Sequence, residues 1–350
     1  MLRGLSMRSL FSLKGWKNAQ SVLIQRKLSE AARVPEEEPN AQKLIKVAII
    51  GVPNSGKSTF INKIINHRIC PTSSKVHTTR TASRAITVQK GAQMIFYDTP
   101  GLVTMREIKK HNLETSFTSA YRHSIQHSNI IGVIHDVSNH WTRGELHPTV
   151  LATLEAYNKL PSFLVLNKID MLRSKRLLLE LVDKLTMNSI EGIVRKGAKE
   201  PEVERGKPVG WRNFSSVFMV SAMTGNGLPE VVNFLQTKAK ISNWEFNEGT
   251  HTDQSNETII QETVRARLLD FLPQEIPYSL ESELEYFSNI RGTLYASVQV
   301  TCPNSRIEKL VCGEADGKLK QITERVSSDL VETFRMPISI TISTTSRKKE

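Results

Sequence analysis

The sequence predicts an α/β fold with a mainly parallel sheet, followed by a smaller α+β domain. From residue 42 to about residue 240, short apolar runs rich in β-branched residues alternate with stretches of helical periodicity. Each polar motif of this region directly follows a predicted strand, which is typical of doubly wound sheets. After residue 257 the order changes to helix, two strands, helix and strand, which favours an α+β domain.

The elements follow from this periodicity in chain order. In the first region, a strand ending at Gly51 precedes a helix, and further strands are predicted at 85–88, 94–97, 130–135, 163–166 and 217–220. Helices are predicted between them at 106–127, 145–159, 172–187 and 228–239. The second region has helices at 257–271 and 317–334 and strands at 281–287, 293–301 and 337–344, with a short basic segment before the long helix.

Composition places the chain among ordinary globular proteins. Its 350 residues are 39% hydrophobic and 23% charged, enough for roughly two domains. It has no uninterrupted apolar run of about 18 residues, the length that predicts a membrane-spanning helix. The three cysteines lie far apart without a Cys-x-x-Cys pair, which argues against a disulfide framework and a zinc site and favours small buried side chains: Cys70, Cys302 and Cys312.

The net charge of +12 is unevenly distributed. Residues 41–256 contain 28 basic and 17 acidic residues, whereas residues 257–350 contain 12 basic and 14 acidic residues. A basic surface of this size fits a polyanionic partner, nucleic acid before a membrane surface. The alternative hypothesis, a peripheral membrane protein, is supported by this basic charge alone.

The first 29 residues have the composition of a targeting segment. They contain six basic residues, five serines and no acidic residue, with apolar residues between them. This composition favours a mitochondrial transit peptide, and the alternative is a disordered basic tail. We therefore predict a leader and linker at 1–40, a nucleotide domain at 41–240 with an exposed insertion at 188–215, a linker at 241–256, a C-terminal domain at 257–345 and a tail at 346–350.

The motif after the first strand predicts a phosphate site. The stretch Gly51-x-x-x-x-Gly56-Lys57-Ser58 lies between a strand and a helix. Two glycines allow the backbone to point N–H groups at an anion, and the helix N-terminus favours negative charge. In this pattern Lys57 reaches the β- and γ-phosphates and Ser58 binds Mg²⁺. A glycine-rich turn with a surface lysine is the alternative.

Three further motifs follow predicted strands in order. In Asp98-Thr99-Pro100-Gly101, the aspartate supplies a carboxylate for Mg²⁺ and Gly101 an N–H for a γ-phosphate oxygen. In Asn167-Lys168-x-Asp170, the carboxylate matches the adjacent donors of guanine, which adenine lacks. Ser221-Ala222-Met223 offers a backbone N–H to the guanine carbonyl. Each motif alone is weak, but together they predict guanine nucleotide binding.

These stretches resemble the signature motifs of the Era family of GTPases. The resemblance rests on GVPNSGKST, the HTTR loop, DTPG, NKID and SAMTGNGL, and on LPQEIPYS at the entrance of the last region. It covers about residues 42–344 and implies a P-loop GTPase domain followed by a smaller KH-type (type II) RNA-binding domain. With the basic leader, the chain is most similar to the mitochondrial branch.

The resemblance assigns roles to individual residues. It implies nucleotide contacts by Gly51, Val52, Pro53, Asn54, Ser55, Gly56, Lys57, Ser58, Thr59, Asp98, Thr99, Pro100, Gly101, Asn167, Lys168, Asp170, Ser221, Ala222 and Met223. Mg²⁺ ligands would be Ser58, Thr79 and Asp98, and the residues implied in catalysis are Lys57, Thr79, Gly101 and Asn54. Thr78 is the alternative to Thr79.

Leu102 predicts slow hydrolysis. It follows the Asp-x-x-Gly motif, where Ras-like enzymes carry the glutamine that orients the attacking water. An aliphatic side chain cannot do this. The resemblance implies a K⁺ ion beside Asn54 as the missing positive charge, and the alternative for Asn54 is a loop residue that caps its own turn.

The C-terminal domain departs from the family at its RNA loop. A KH domain uses Gly-x-x-Gly to approach RNA phosphates, but here Asp316 stands at the second glycine position and Gly317 comes one residue late. Glu314 and Asp316 add negative charge, so we expect stacking and edge contacts to matter more than charge. The predicted RNA-binding residues are Arg306, Lys309, Gly313, Gly317, Lys318 and Lys320, and a solvated helix face is the alternative for the basic ones.

The resemblance implies a GTPase of the mitochondrial matrix that uses GTP and Mg²⁺. Its expected partners are small-subunit mitochondrial rRNA near the 3′ end and the nascent small subunit, with weak inner-membrane association as a further expectation. Leu102 and the altered loop support an alternative, an RNA-binding chaperone in which GTP is a structural ligand with negligible turnover.

Overall fold

The computed structural model describes residues 41–73, 75, 83–99, 101, 116–190, 193–194, 209–273 and 275–347. Several predictions fall outside these residues: the leader and linker at 1–40, the HTTR loop with Thr78 and Thr79, Pro100, Leu102 and most of the 188–215 insertion.

The first part of the chain alternates strands and helices as predicted. Its strands are β1 (Lys43–Ile50), β2 (Ser83–Gln89), β3 (Ala92–Asp98), β4 (Ile130–Asp136), β5 (Ser162–Asn167), β6 (Ser189–Ile190), β7 (Ile193–Val194), β8 (Phe214–Met219) and β9 (Lys240–Ile241). Its helices are α1 (Lys57–Ile65), α2 (Ser116–Gln126), α3 (Pro148–Ala156), α4 (Arg176–Leu185) and α5 (Leu228–Lys238).

The main sheet has the order β2-β3-β1-β4-β5-β8. All neighbours pair parallel except β2, which lies antiparallel to β3 at one edge. The register pairs Ile49 with Asp98 and Asp136 with Asn167. Because parallel strands end at the same edge, the polar motifs after β1, β3, β4 and β5 gather there. The predicted mainly parallel sheet is confirmed.

Strand β1 joins two cores because its alternate side chains enter opposite faces of the sheet. On one face Val47 and Ile49 pack with Phe60 of α1 and Val231 of α5. On the other face Ala48 and Ile50 pack with residues of three helices, Ile125 of α2, Leu154 of α3 and Leu181 of α4. The phosphate motif that follows β1 therefore extends from the centre of the hydrophobic core.

The segment at 241–256, which the sequence predicts as a linker, is hydrogen-bonded to strands β1, β2 and β3 of the main sheet. Strand β9 pairs antiparallel with the start of β1. The buried side chain of Gln93 accepts from the N–H groups of Glu245 and Phe246 and donates to the Phe246 carbonyl. Arg84 pairs with Asp253 (Nε to Oδ2, 2.7 Å). The polar composition that indicated a linker reflects a segment held by hydrogen bonds.

The last part of the chain is a three-stranded sheet covered by helices. It contains α6 (Asn256–Phe271), β10 (Glu281–Ile290), β11 (Thr293–Cys302), α7 (Ser305–Cys312), α8 (Gly317–Phe334) and β12 (Ile338–Ser346). Strand β11 lies between β10, antiparallel, and β12, parallel. Val264, Val298 and Val326 belong to its core. This order and pairing confirm the predicted α+β domain of the type II KH kind.

Helix α7 was missed by the sequence prediction, which took this segment as a short basic stretch. Asn304 caps the helix by accepting from the Ile307 N–H (3.0 Å). Ile307 and Val311 face the core, so the helical spacing was present in the sequence but short. The predicted insertion also ends too late, since the buried Phe214 already belongs to β8, and the last strand reaches Ser346 in the predicted tail.

Within the described part of the chain, the structure has no helix that is both long and apolar enough to span a bilayer.

Gln93→Ala should release the segment at 245–246 from strand β3. The change leaves two backbone donors and one carbonyl without their buried partner, at a cost of about 1–3 kcal/mol in the free energy of unfolding. Urea denaturation measures the loss, and hydrogen exchange locates it at Glu245 and Phe246. The matched control is Gln299→Ala, whose side chain donates to Glu285 at an exposed site; an equal loss in both variants would contradict the role of Gln93.

Candidate nucleotide-binding site

The loop after β1 is shaped by two glycines whose neighbours leave no space for a side chain. Gly51 has φ +156°, and a Cβ there would lie 2.5 Å from the Ile134 carbonyl oxygen. Gly56 has φ +95°, and its Cβ would lie 2.4 Å from Nδ2 of Asn167. Gly56 is also the N-cap of α1 and provides no side-chain cap. The loop therefore brings bare backbone and a helix N-terminus together, as an anion site requires.

Lys57 is a buried ammonium group at the centre of this loop. It is 7% exposed, and Nζ donates to the carbonyls of Gly51 (3.2 Å) and Val52 (3.0 Å). Burial lowers the pKa of Lys57 to about 8, and the nearby Asp98 carboxylate opposes this shift. A buried cation with only carbonyl partners in its own loop is suited to bind a phosphate.

Ser58 and Asp98 meet as predicted for a magnesium site. The Ser58 hydroxyl donates to Asp98 Oδ2 at 2.7 Å, and Asp98 is fully buried at the end of β3. One hydroxyl and one carboxylate oxygen beside a phosphate loop form the kind of sparse oxygen set that Mg²⁺ completes with phosphate and water. The residues present therefore fit the ion. The third predicted ligand, Thr79, lies outside the described residues.

The remaining residues of the Asp98 motif have distinct roles. Thr99 is buried and its hydroxyl donates to the Ile49 carbonyl (2.6 Å), so its side chain fixes the motif to β1, and its nucleotide contact stays a prediction. A Cβ on Gly101 would lie 3.0 Å from Pro53. The backbone of Gly101 therefore approaches the phosphate loop, where its predicted γ-phosphate contact is sterically reasonable.

A small pocket marks the space beside Lys57. It is lined by two groups of residues, the phosphate loop with Gly101 and the segment that follows α1: Pro53, Asn54, Gly56, Lys57, Ser58, Thr59, Pro71, Thr72, Ser73, Lys75 and Gly101. The segment 71–75 leads towards the predicted switch threonine, and no sequence motif had indicated that it borders the phosphate site.

Asn167 connects three loops of the site. Its Nδ2 donates to the Ser55 carbonyl (2.8 Å), and its Oδ1 accepts from the Ala222 N–H (3.0 Å). The side chain is 1% exposed. Asn167 therefore holds the phosphate loop and the Ala222 loop in register as a positioning residue, and a direct guanine contact by Asn167 stays a prediction.

Lys168 is oriented by Asp136, a residue that the sequence analysis missed. Nζ of Lys168 lies 2.6 Å from Asp136 Oδ2 and donates to the Asn54 carbonyl (2.7 Å). Partial burial alone would raise the pKa of Asp136, but hydrogen bonds from Lys168 and Ser138 outweigh it and hold that pKa below its usual value. The available signal was the position of Asp136 at the carboxyl end of β4.

The Ser221 and Ala222 N–H groups are both engaged within the protein. Ser221 N donates to Asn226 O (3.0 Å), and Ala222 N donates to Asn167. The predicted N–H contact to guanine would require one of these donors to be shared. Asp170 and Met223 are both exposed, Met223 to 75%, so their side chains are accessible to a base.

The predicted RNA residues flank one loop from two helices. Arg306 and Lys309 are exposed on α7, and Lys318 and Lys320 lie in the first two turns of α8. Gly313 needs to be glycine, since it has φ +75° and its Cβ would lie 2.7 Å from the Lys318 Cβ.

Gly317 begins helix α8, one residue after the position of the second glycine, and its RNA contact stays a prediction. It has ordinary helical dihedrals and open space around its Cβ position. Ala315 (φ +46°) and Asp316 (φ +58°) take the left-handed conformations instead.

A parallel sheet with a phosphate loop after β1, a buried Mg²⁺-type carboxylate after β3 and an Asn-Lys-x-Asp motif after β5 defines a P-loop GTPase. Residues 46–168 match the family model described as 50S ribosome-binding GTPase. The chain is 31% identical over 345 residues to the mitochondrial GTPase Era of Danio rerio, covering 89% of this chain and 77% of that protein. It is 25% identical to the mitochondrial GTPase Era of Caenorhabditis elegans, covering 84% and 88%. The chain belongs to the Era family of GTPases, in its mitochondrial branch. It therefore hydrolyses GTP with Mg²⁺.

Solved structures agree on the fold. Aquifex aeolicus Era bound to GDP and AlF₄⁻ superimposes with a TM-score of 0.71 at 22% identity, covering 87% of this chain and 94% of that chain. Era in complex with MgGDPNP and nucleotides 1506–1542 of 16S ribosomal RNA superimposes with a TM-score of 0.69 at 21% identity, with the same coverage. Both likenesses extend over the nucleotide part and the C-terminal part of the fold.

Gly56→Ala should weaken nucleotide binding because its Cβ meets the Asn167 amide. The positive φ costs an alanine about 1–2 kcal/mol in the free energy of unfolding. The clash with Asn167 additionally displaces the phosphate loop. Fluorescent GDP binding and urea denaturation measure the two effects. Gly249→Ala is the matched control, since Gly249 has a similar φ (+89°) with open space around its Cβ position; equal nucleotide affinity in both variants would contradict the contact between Gly56 and Asn167.

Nucleotide affinity should fall with rising pH above about 8. Burial lowers the pKa of Lys57 to about 8 in the free protein, and bound phosphates would raise it again, so binding takes up a proton. The loss is at most tenfold per pH unit. Calorimetry of GDP binding in two buffers with different ionisation enthalpies measures the proton directly. Lys57→Arg removes this uptake because a guanidinium stays protonated; identical heats in both buffers for the wild type would refute the assignment.

Proposed function

We propose that the chain is a GTPase of the mitochondrial matrix that binds small-subunit mitochondrial rRNA near its 3′ end and assists assembly of the small subunit. The observation that supports this proposal most directly is the C-terminal fold. An Era protein solved with nucleotides 1506–1542 of 16S ribosomal RNA has a similar fold over 87% of this chain.

The placement of basic side chains supports the RNA-binding part of this proposal. Arg306 and Lys309 on α7 and Lys318 on α8 lie on either side of the Gly313 loop. Glu314 and Asp316 lie within this loop and are exposed, which opposes a phosphate clamp. Recognition should therefore use base stacking and edge contacts to single-stranded RNA, helped by the basic nucleotide domain.

The geometry of the nucleotide site supports a role for each of its predicted residues. Lys57 would bind the β- and γ-phosphates, Ser58 and Asp98 would hold Mg²⁺, and Asp170 would select guanine. When bound, Mg²⁺ would neutralise negative charge on the phosphate oxygens during GTP cleavage. Binding of the triphosphate would order Gly101 and the predicted Thr79 loop, and both would relax after hydrolysis. GTP hydrolysis would thereby set the time at which the RNA is released.

Leu102 cannot orient the attacking water, so fast hydrolysis needs another group, such as a positive charge beside the phosphates. The pair of Lys168 and Asp136 fixes the Asn54 carbonyl through a 2.7 Å hydrogen bond, so the Asn54 turn is held in one conformation. A K⁺ ion beside Asn54 is the charge we propose, in the role that an arginine finger has in other GTPases.

Single-turnover GTP hydrolysis in K⁺ and in Na⁺, with and without small-subunit mitochondrial rRNA, tests this proposal. We expect faster cleavage in K⁺ and saturable binding of the RNA 3′ region. Membership in a GTPase family favours the enzyme over the chaperone with a structural GTP, and equal, negligible cleavage in all four conditions would favour the chaperone. Pelleting with anionic liposomes tests the weak membrane association.

Asp170→Asn should relax the preference for guanine. The variant loses a carboxylate that accepts two hydrogen bonds, and each charged hydrogen bond contributes about 1.5–3 kcal/mol. Competition of GDP, ADP and XDP against a fluorescent guanine nucleotide measures the preference, and XDP should gain affinity. Asp183→Asn, on the distant helix α4, is the control; unchanged selectivity in Asp170→Asn would show that another group reads the base.

A further inference from the structure

The C-terminal part of the chain holds the segment that borders the phosphate pocket. Three hydrogen bonds connect segment 71–75 to α6 and the residue after it. The Thr72 carbonyl accepts from Nη2 of Arg267 at 2.6 Å. The Ser73 hydroxyl donates to Asp270 Oδ1 at 2.8 Å, and Lys75 donates to the Leu272 carbonyl.

Arg267 is the centre of this contact because its guanidinium has partners on both sides. Nη1 lies 2.5 Å from Asp270 Oδ2, and Nε lies 2.7 Å from Asp329 Oδ2. Nη2 reaches Thr72 in the other part of the chain. Arg267 is 7% exposed and Asp329 is 1% exposed, so these contacts form away from bulk water, where geometry is strongly determined.

Asp329 extends the same network to the end of α1. Its Oδ2 also pairs with Nη2 of Arg68 (3.1 Å), whose guanidinium lies 3.3 Å from the Thr72 hydroxyl. The hydroxyl of Thr333 donates to the Arg68 carbonyl (2.7 Å). Two arginines from different parts of the chain therefore share one buried carboxylate and both contact Thr72.

We propose that Arg267 is a positioning residue for the triphosphate: from the C-terminal part, it fixes segment 71–75 beside the phosphate pocket, and so couples nucleotide state to that part of the chain. The inference rests on the proposed phosphate site. It adds the contact through which the C-terminal part acts on that site, a contact between a guanidinium and the Thr72 carbonyl.

This position has a selective consequence. Segment 71–75 precedes Thr79 in the chain, the predicted switch threonine that would bind Mg²⁺ only when GTP is bound. Lys57 and the phosphate loop serve diphosphate and triphosphate alike. Loosening the segment therefore lowers the affinity for a triphosphate more than the affinity for GDP. By linkage, a ligand on the C-terminal part and the triphosphate change each other's affinity by the same factor.

The test uses the full chain with Arg267→Lys and Ser73→Ala. Lysine keeps the charge at 267 but cannot reach Thr72, Asp270 and Asp329 together. Ser73→Ala removes one hydroxyl that donates to Asp270 and leaves the side chains of Arg267 and Asp329 unchanged. Arg325→Gln is the matched control, because Arg325 lies on α8, is half exposed and, among the described residues, forms its ion pair with Asp329 (3.6 Å). The readout is the ratio of the dissociation constants for Mg-GDPNP and Mg-GDP.

We expect this ratio to rise about fivefold or more in Arg267→Lys, the lower range of measured couplings, to rise in Ser73→Ala and to stay unchanged in Arg325→Gln. Equal weakening of both nucleotides, or an unchanged ratio in both test variants, would overturn the inference and leave the nucleotide site intact. Failure of the wild-type chain to bind GDP would instead remove the proposed site itself, and the inference with it.

Discussion

The buried ammonium of Lys57 is the constraint on which the nucleotide site depends. A charge at 7% exposure is tolerated because two carbonyls of its own loop accept from it and Asp98 lies near. Gly51 and Gly56 permit that loop, since at both positions the backbone passes too close to a neighbour for a side chain. Strand β1 fixes the loop by entering both cores at once. Hydrophobic packing of β1 therefore fixes the position of the Lys57 ammonium group.

The site is held together by side chains that bind loops to each other. Asn167 joins the phosphate loop to the Ala222 loop, Thr99 joins the Asp98 motif to β1, and Asp136 holds Lys168 against Asn54. Each of these bonds connects the ends of different strands at one edge of the sheet. A nucleotide that replaces water at this edge therefore meets groups that are already oriented, which lowers the entropy cost of binding.

Motifs of fixed spacing were predictable from the sequence, and partners outside the motifs were not. The glycines, Lys57 and Ser58 are linked by local geometry that one strand, one loop and one helix impose. Asp98 joins them, as expected, because its motif follows a parallel strand that ends at the same side of the sheet. Asp136, Gln93 and Arg267 act on partners 32, 153 and 195 residues away. A single sequence does not show which residues pair over such distances, although the position of Asp136 at the end of a strand marked it as a candidate. The sequence places Asp316 at the second glycine position of the KH loop, and the backbone there is indeed left-handed, as it is at Ala315.

The nucleotide part and the C-terminal part of the chain present their basic groups to anions in different ways. This difference explains why the contact between Arg267 and segment 71–75 matters for the C-terminal part. The nucleotide part buries its cation among carbonyls, whereas the C-terminal part exposes its basic residues around a loop that contains two carboxylates. Exposed charges are screened by salt and contribute little orientation. Orientation at the C-terminal part must therefore come from the fold itself. Three hydrogen bonds connect that fold to segment 71–75, and the one from Arg267 belongs to the network around the buried Asp329. A change of nucleotide that moves this segment has a direct, buried route to the helices α6 and α8.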